Sequence, residues 1–294
     1  MPSTRPQSRH AGLLFLLVAS IGWGLNWPAL KMLLQEWPPL SARGASGVAA
    51  ALGLALLARA RGERLSVPRG MRGRHAFAAF TNVFVWMGFS TVSLLWVNVG
   101  EAALLVYTMP LWVTLLSWPV LGERPTARTL AGLALGVLGL AVLLGGQVSA
   151  VGAAKLPGVL LALGAAILFA LGTVVSRSAL TLPPIASVAW QVGLGCVPMI
   201  LAGLLFERPR LDALSARGWA TLAYMTVVPM GLCYVCWFAA LRRLPPSTAS
   251  IGTLLVPLIG VTTAAYFLGE PFGAKEITAL VLTLGGVALA LHKA

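Results

Sequence analysis

The chain has 294 residues, of which 58% are hydrophobic and only 10% charged, and its mean hydropathy is +0.88. Soluble domains carry about 25% charged residues, so this chain has too little polar residue to cover a globular surface. A net charge of +13 would suggest nucleic acid in a soluble protein, but here the basic residues sit between apolar stretches rather than on one solvated face, and nucleic acid is not expected as a partner.

A helix crosses the hydrocarbon layer of a bilayer in about 20 residues. Apolar runs of that length occur at 11–34, 39–58, 76–97, 100–121, 126–146, 157–178, 184–206, 218–241, 247–268 and 273–292. They predict an all-α polytopic membrane protein of ten transmembrane helices joined by short loops, with the lipid bilayer as its solvent. Arg5 and Arg9 precede the first run, which continues to Leu34 without a small-residue cleavage site, so it reads as an uncleaved span rather than a secretory signal. Proline pairs at 38/39, 183/184 and 245/246 open the second, seventh and ninth runs, where a missing N–H costs nothing. Cys196, Cys233 and Cys236 lie inside apolar runs; Cys233 and Cys236 have C-x-x-C spacing but no polar helix start to lower a thiol pKa, so packing is expected of them.

With the amino terminus in the cytoplasm, the inner segments carry 14 basic residues and the outer ones 7, and the acids bring the net charges to +12 inside and +1 outside. The positive-inside rule therefore predicts both termini in the cytoplasm.

Residues 110–144 recur 147 positions later, at 257–291. Pro110-Leu111, Leu121-Gly122-Glu123, Ala127, Leu133, Leu135, Gly139, Ala141 and Leu144 all find the same residue in the second copy, from Pro257-Leu258 through Leu268-Gly269-Glu270 to Leu291. This period contains five spans, an odd number, so the second copy enters the membrane from the opposite side. The expectation is two inverted five-helix repeats, 1–147 and 156–294. Weaker correspondences agree: Lys31 with Arg177, Met87-Gly88 with Met230-Gly231, and Pro38-Pro39 with Pro183-Pro184.

Several stretches carry a family resemblance. They are Trp23-Gly24-Leu25-Asn26 in the first span, Arg43 early in the second, and Ala239-Ala240-Leu241 running through Leu244-Pro245-Pro246-Ser247-Thr248-Ala249 into the ninth, together with the paired Pro-Leu to Leu-Gly-Glu segments. On these, which span essentially the whole chain, it resembles the drug/metabolite transporter superfamily, in particular ten-span members with two EamA-type repeats. The resemblance implies exporters of amino acids and related metabolites in the bacterial inner membrane, with spans one to four and six to nine around a central cavity and spans five and ten outside it. Several members of the family have an aromatic where span six here reads Leu168-Phe169-Ala170-Leu171-Gly172; Phe169 fills that place without a hydrogen-bonding edge, so substrate preference does not carry over.

Spans five and ten carry no charged or amide side chain near their centres and are rich in glycine, as in Gly132-x-x-x-Gly136 and Gly285-Gly286, which suits close helix packing, with a dimer face as the alternative. A monomer is expected. Trp23, Asn26, Trp27, Leu30 and Lys31 share one face of span one, and Asn82, Trp86, Phe89, Ser90 and Ser93 one stripe of span three. In span seven Ser187, Trp190 and Gln191 do the same. An amide at mid-membrane costs free energy unless it is hydrogen-bonded or meets water, which directs it inward. Asn26 reads as an interhelical hydrogen bond, whereas substrate contact and interhelical bonding weigh equally for Asn82. Trp37, Trp118 and Trp219 at span ends read as interfacial anchors. Trp86, Tyr107 and Trp112 nearer mid-span would, facing inward, make an amphipathic wall with Phe169.

Pro110 and Pro257 occupy matched mid-span places in spans four and nine and are candidate hinges, since proline frees a carbonyl and permits bending, and matched interruptions in inverted halves point to a binding site. Pro229 adds a third such proline in span eight. A charge at the bilayer centre costs about 2.5 to 3.5 kcal/mol, and no span carries one in its central third. Glu101 lies in the first turn of span four, as a helix-start residue or as an acid at the outer cavity edge. Arg43 is one turn into span two, where snorkelling to the headgroups or a structural pairing is favoured over meeting a substrate carboxylate from the outside. The candidate cavity set is thus Asn26, Asn82, Trp86, Tyr107, Trp112, Phe169, Trp190, Gln191, Arg43 and Glu101.

No metal cluster, nucleophile and base pair or Walker-type loop is present in the sequence, so neither metal, cofactor nor enzymatic activity is expected. The expected function is a secondary transporter or facilitator exporting amino acids or related small metabolites by alternating access through a central cavity. The alternatives are an exporter of drugs, nucleotide precursors or sugar derivatives, and, from a different class, a membrane-embedded enzyme or lipid flippase.

Overall fold

In the computed structural model the described residues are 9–144, 150–175, 182–244, 248 and 252–291. Arg5, Arg177, Lys293 and the Pro245-Pro246 pair, which entered the sequence reading, lie outside them. Ten helical spans occur among the described residues, and no strand. They are α1 (Arg9–Leu33), α2 (Pro39–Ala60), α3 (Arg69–Ser93), α4 (Val99–Leu121), α5 (Ala127–Leu144), α6 (Ala150–Val175), α7 (Pro184–Glu207), α8 (Ala216–Leu241), α9 (Leu255–Leu268) and α10 (Ala274–Leu291). Seven of these, α1 to α4 and α6 to α8, are long and apolar enough to cross a bilayer, and α5 and α9 are shorter apolar helices. Large apolar side chains such as Leu56, Leu205, Phe206 and Tyr266 stand outward on the bundle, as hydrocarbon requires.

Local chemistry sets the ends. Pro39 and Pro184 stand at the first positions of α2 and α7, where the proline φ is already helical. At the other end, α2, α4 and α9 are followed by Gly62, Gly122 and Gly269 with φ of 74°, 74° and 65°. A left-handed residue after a helix costs glycine nothing and lets the trailing N–H groups fold back onto the last carbonyls. After α4, Gly122 N donates to Trp118 O at 2.9 Å and Glu123 N to Ser117 O at 3.3 Å. The Leu-Gly-Glu repeated in the sequence is therefore a helix stop that projects a carboxylate away from its own helix.

The packing obeys the repeat. α1 lies against α8 and α9, and α6 lies against α3 and α4; α2 pairs with α7, α5 with α10 and α4 with α9. Exchanging each helix for its counterpart five spans away maps these pairs onto one another, which is the two-fold relation of two inverted five-helix repeats. Small residues allow the central approaches. A Cβ added at Gly132 would stand 2.5 Å from the Gly286 carbonyl oxygen, and one at Gly44 would stand 2.7 Å from Ile200 Cα. Gly132 and Gly286 are thus consumed within one chain, between α5 and α10, and are no free face for a dimer.

Candidate functional site

A cavity of about 260 Å³ lies between the helices of the two repeats. Trp23, Asn26 and Trp27 line it from α1, Arg43 from α2, Asn82, Trp86, Met87 and Ser90 from α3, Tyr107 and Met109 from α4, and Phe169 from α6. Pro229, Met230, Tyr234 and Trp237 come from α8, and Val256 from α9 with Thr253 just ahead of it. α5 and α10 contribute none of these, in keeping with a supporting position.

Two of the three π-helical segments among the described residues border this cavity, and the third, Gly203–Glu207, ends α7. Phe80–Phe89 in α3 and Val228–Leu232 in α8, which are counterparts in the repeat, widen to π-helical hydrogen bonding. Such segments leave carbonyls available and commonly mark functional sites. In α8 the Pro229 carbonyl accepts the Trp23 indole N–H at 2.9 Å. The widening also turns the α3 stripe: Asn82, Trp86 and Ser90 reach the cavity, whereas Phe89 faces Gly164 of α6. α4 breaks at Tyr107-Thr108, just ahead of Pro110, and the chain turns at Thr253-Leu254, just ahead of Pro257. Proline supplies no N–H to the preceding turn, so the chain yields there in both repeats.

Two aromatic groups form the apolar wall. Trp86 meets Phe169 with centroids 4.6 Å apart and Tyr107 at 6.1 Å, and Tyr107 meets Trp27 at 6.5 Å. On the other side Trp23 stands edge-on to Tyr234 at 5.6 Å and tilted against Trp237 at 5.9 Å. These separations fall in the favourable range for ring pairs.

Arg43 is 5% exposed and turns inward, so the expectation of snorkelling is corrected. Its Nε donates to Thr91 Oγ1 at 3.1 Å, and no carboxylate pairs with it among the described residues. Asn26 is corrected as well: it makes no interhelical hydrogen bond among the described residues, and its buried Oδ1 has no partner. Asn82 is the amide that bonds between helices, donating from Nδ2 to Gln191 Oε1 at 3.3 Å while also lining the cavity.

Four of the expected residues lie outside the cavity wall. Trp112 turns along its own helix, its indole N–H donating to Thr108 Oγ1 at 3.1 Å. Trp190 is 38% exposed, donates to the Leu65 carbonyl at 2.7 Å, and lines an outer apolar groove between α2 and α7. Gln191 stands one layer back, bonded to Asn82 and, at 3.2 Å, to Ser187 Oγ. Glu101 is a helix-start residue: its N–H donates to Asn98 Oδ1 at 2.7 Å, its own carboxylate accepts the Asn98 N–H at 3.1 Å, and Lys155 Nζ lies 2.7 Å from Oε1. Trp37 is no interfacial anchor either; it is buried and donates to the Arg210 carbonyl at 3.1 Å. Lys31 leaves the Asn26 face and donates to the Leu94 and Val97 carbonyls at the end of α3.

The other acids explain why the cavity holds none. Glu207 accepts the Leu40 and Ser41 N–H groups at the start of α2, and Glu63 accepts Ala186 N at 2.9 Å at the start of α7, the same device in both repeats. Glu270, from the second Leu-Gly-Glu, accepts Val99 N at 2.8 Å and Gly100 N at 3.2 Å at the start of α4. Glu36 accepts Ser215 N and Oγ, both at 2.8 Å, at the start of α8, and Glu276 accepts Gly273 N at 2.9 Å before α10. Asp212 pairs with the exposed Arg210. Helix starts carry unsatisfied N–H groups and partial positive charge, so carboxylates are favoured there. Sequence alone did not reveal this use of Glu270, nor Tyr234 and Trp237, whose nearest signal was the match of Met87 with Met230.

Comparison with known proteins follows the same lines. The EamA-like transporter family matches residues 10–145 and again 156–292. An uncharacterized transporter of Bacillus subtilis, YvbV, is 30% identical over 289 residues, covering 97% of this chain and 92% of its own length. A probable amino-acid metabolite efflux pump of Salmonella typhimurium is 27% identical, with 95% and 94% covered. The aromatic amino acid exporter YddG of Ancylobacter novellus is 28% identical over 65% of this chain and 66% of its own length. A solved crystal structure with 22% identity superposes with a TM-score of 0.67 over 96% of this chain and 98% of that one, and so shares the fold. With a ten-helix inverted repeat, a central cavity bounded by both halves and both halves matched by one family, the chain belongs to the EamA-like transporter family and is a multi-pass membrane transporter of small molecules rather than an enzyme.

Proposed function

We propose that this transporter exports amino acids or closely related small metabolites across the bacterial inner membrane, with both termini in the cytoplasm. The observation that carries the reading is the composition of the cavity: one guanidinium, two amides and seven aromatic rings enclosed by both repeats. Ligand pockets run from about 300 to 1,000 Å³, and a cavity at the lower limit suits a small metabolite better than a drug-sized molecule. A cationic drug would also want a buried acid, and none lines the cavity among the described residues. The similarity to probable amino-acid metabolite efflux pumps of Salmonella typhimurium and Escherichia coli and to the aromatic amino acid exporter of Ancylobacter novellus supports amino acids as the class.

Alternating access follows from the repeat. The halves 1–147 and 156–294 rock as units about the cavity, bending where α4 and the chain before α9 break next to Pro110 and Pro257. α5 and α10 hold the frame, and one chain is the working unit. Counterflow in proteoliposomes with a panel of amino acids, with and without a pH gradient, tests this. Exchange of at least one amino acid is expected; exchange of none overturns the reading.

A further inference from the structure

We propose that Arg43 is the anchor for a substrate carboxylate and Asn26 Oδ1 the acceptor for its amino group, so that the cargo is a zwitterion whose apolar or aromatic side chain lies against the ring wall. This rests on the export of amino acids proposed above and narrows it.

The argument starts from two unmatched polar groups in one cavity. A guanidinium offers five N–H donors in a planar fork suited to a carboxylate. Among the described residues Arg43 has one hydrogen bond, from Nε to the Thr91 hydroxyl, and it is almost fully buried. A buried charge without a counter-charge is costly, and a site that keeps one is complementary to an incoming anion. Among the described residues no carboxylate pairs with it, and Glu36, Glu63, Glu101, Glu207, Glu270 and Glu276 each accept an N–H at a helix start. The second group is the Asn26 carbonyl oxygen, buried without a partner on the wall of the same cavity. A buried acceptor that no protein group satisfies is complementary to a donor on the ligand. Aromatic faces around it add attraction for an ammonium group.

The pairing sets a selectivity rule. A free amine without a carboxylate brings a second positive charge to Arg43 and is rejected, and a carboxylate without an amine leaves Asn26 unpaired and binds more weakly. Cationic amino acids are disfavoured for the same reason as amines.

The test uses the full chain in proteoliposomes with three probes of one ring system: L-tryptophan, indole-3-propionate and tryptamine. Wild type exchanges tryptophan best, indole-3-propionate less well and tryptamine not at all. Arg43→Gln weakens tryptophan by about 30-fold or more, and Arg43→Lys restores part of the loss. Asn26→Ala, which removes no hydrogen bond seen among the described residues, narrows the gap between tryptophan and indole-3-propionate. A folded Arg43→Gln with unchanged KM for tryptophan, or tryptamine exchanged as well as tryptophan, overturns the proposal. If wild type exchanges no amino acid, the export reading fails separately. The anchor is then decided by thermal shift: indole-3-propionate raising the melting temperature of wild type but not of Arg43→Gln upholds it, and equal shifts, or none, overturn it.

Discussion

Glu207 in the last turn of α7 closes on Ser41 in the first turn of α2, accepting its N–H at 2.8 Å and its hydroxyl at 2.7 Å, and takes the Leu40 N–H at 2.9 Å as well. One carboxylate thus satisfies the start of its partner helix and fixes the α2 and α7 pair at that end, while Glu63 does so at the other. Hydrogen bonds to a charged group contribute about 1.5 to 3 kcal/mol each, and the amide replacement keeps some of them. Glu207→Gln is expected to lower stability by about 2 kcal/mol, read as a fall in melting temperature in detergent, with the KM of the transported amino acid unchanged.

Glu101 separates a structural acid from a coupling acid. Its capping box with Asn98 and its ion pair with Lys155 occupy both carboxylate oxygens. Glu101→Gln is expected to cost about 1 to 2 kcal/mol of stability. The dependence of flux on an imposed pH gradient should match wild type; a variant that loses pH-driven flux while keeping exchange would make Glu101 a proton carrier.

Adjacent glycines in α10 should respond in opposite ways. A Cβ at Gly286 meets Gly136 N at 2.8 Å and the Leu135 side chain at 3.1 Å, whereas a Cβ at Gly285 meets nothing within 4 Å. Gly286→Ala is expected to destabilise by about 1 to 3 kcal/mol through overpacking. Gly285→Ala should be neutral or stabilising by up to about 1 kcal/mol, since alanine favours the helix. Paired melting curves decide the matter.

Glu36 lies in the loop between α1 and α2, and the hydroxyl and N–H of Ser215 hold its carboxyl below the usual glutamate value of about 4.3. A depressed carboxyl contributes stability that is fully present above the unfolded pKa and is lost as pH falls through the folded one. The stability difference between wild type and Glu36→Gln should therefore be constant near neutral pH and shrink as the pH falls below about 4.3. A difference that persists unchanged to strongly acid pH would assign the loss to something other than the charge.

The matched breaks yield a prediction for motion. Pro110 and Pro257 stand in the first turn of the helix segment that follows each break, so alanine there costs that segment little and supplies an N–H that can close the break. Turnover in counterflow is expected to fall in each single variant and further in the double one, with the melting temperature unchanged or raised. Unchanged turnover in the double variant would remove both prolines as hinges.

Much of this protein was legible before any coordinate. The ten spans, the order of the two repeats and the interruptions at Pro110 and Pro257 rest on local properties: run length, proline geometry and identities at a fixed period. Of the residues that line the cavity, Asn82, Trp86 and Tyr107 carry a local signal, because a polar or aromatic side chain near mid-span has few alternatives to facing inward; Phe169 is named through the family resemblance, and Arg43 and Asn26 are expected from sequence to snorkel or pair and to bond between helices, respectively. The misplaced ones, Trp112, Trp190, Gln191 and Glu101, obey the same pattern, but the pattern leaves open how far each helix is turned about its own axis. The π-helical widening of α3 and the partner on the next helix settle that, and neither has a local signature.

The acids show the division most clearly. The sequence alone determined that two Leu-Gly-Glu segments stand at corresponding helix ends, because glycine after an apolar run stops a helix by its own backbone freedom. Only the tertiary structure decided that Glu270 is spent on the first N–H groups of α4, because those donors lie 170 residues away in sequence and become neighbours only when the inverted halves pack. That same packing leaves Arg43 in the cavity without a carboxylate, since a capped helix start holds its acid more favourably than a buried cavity would.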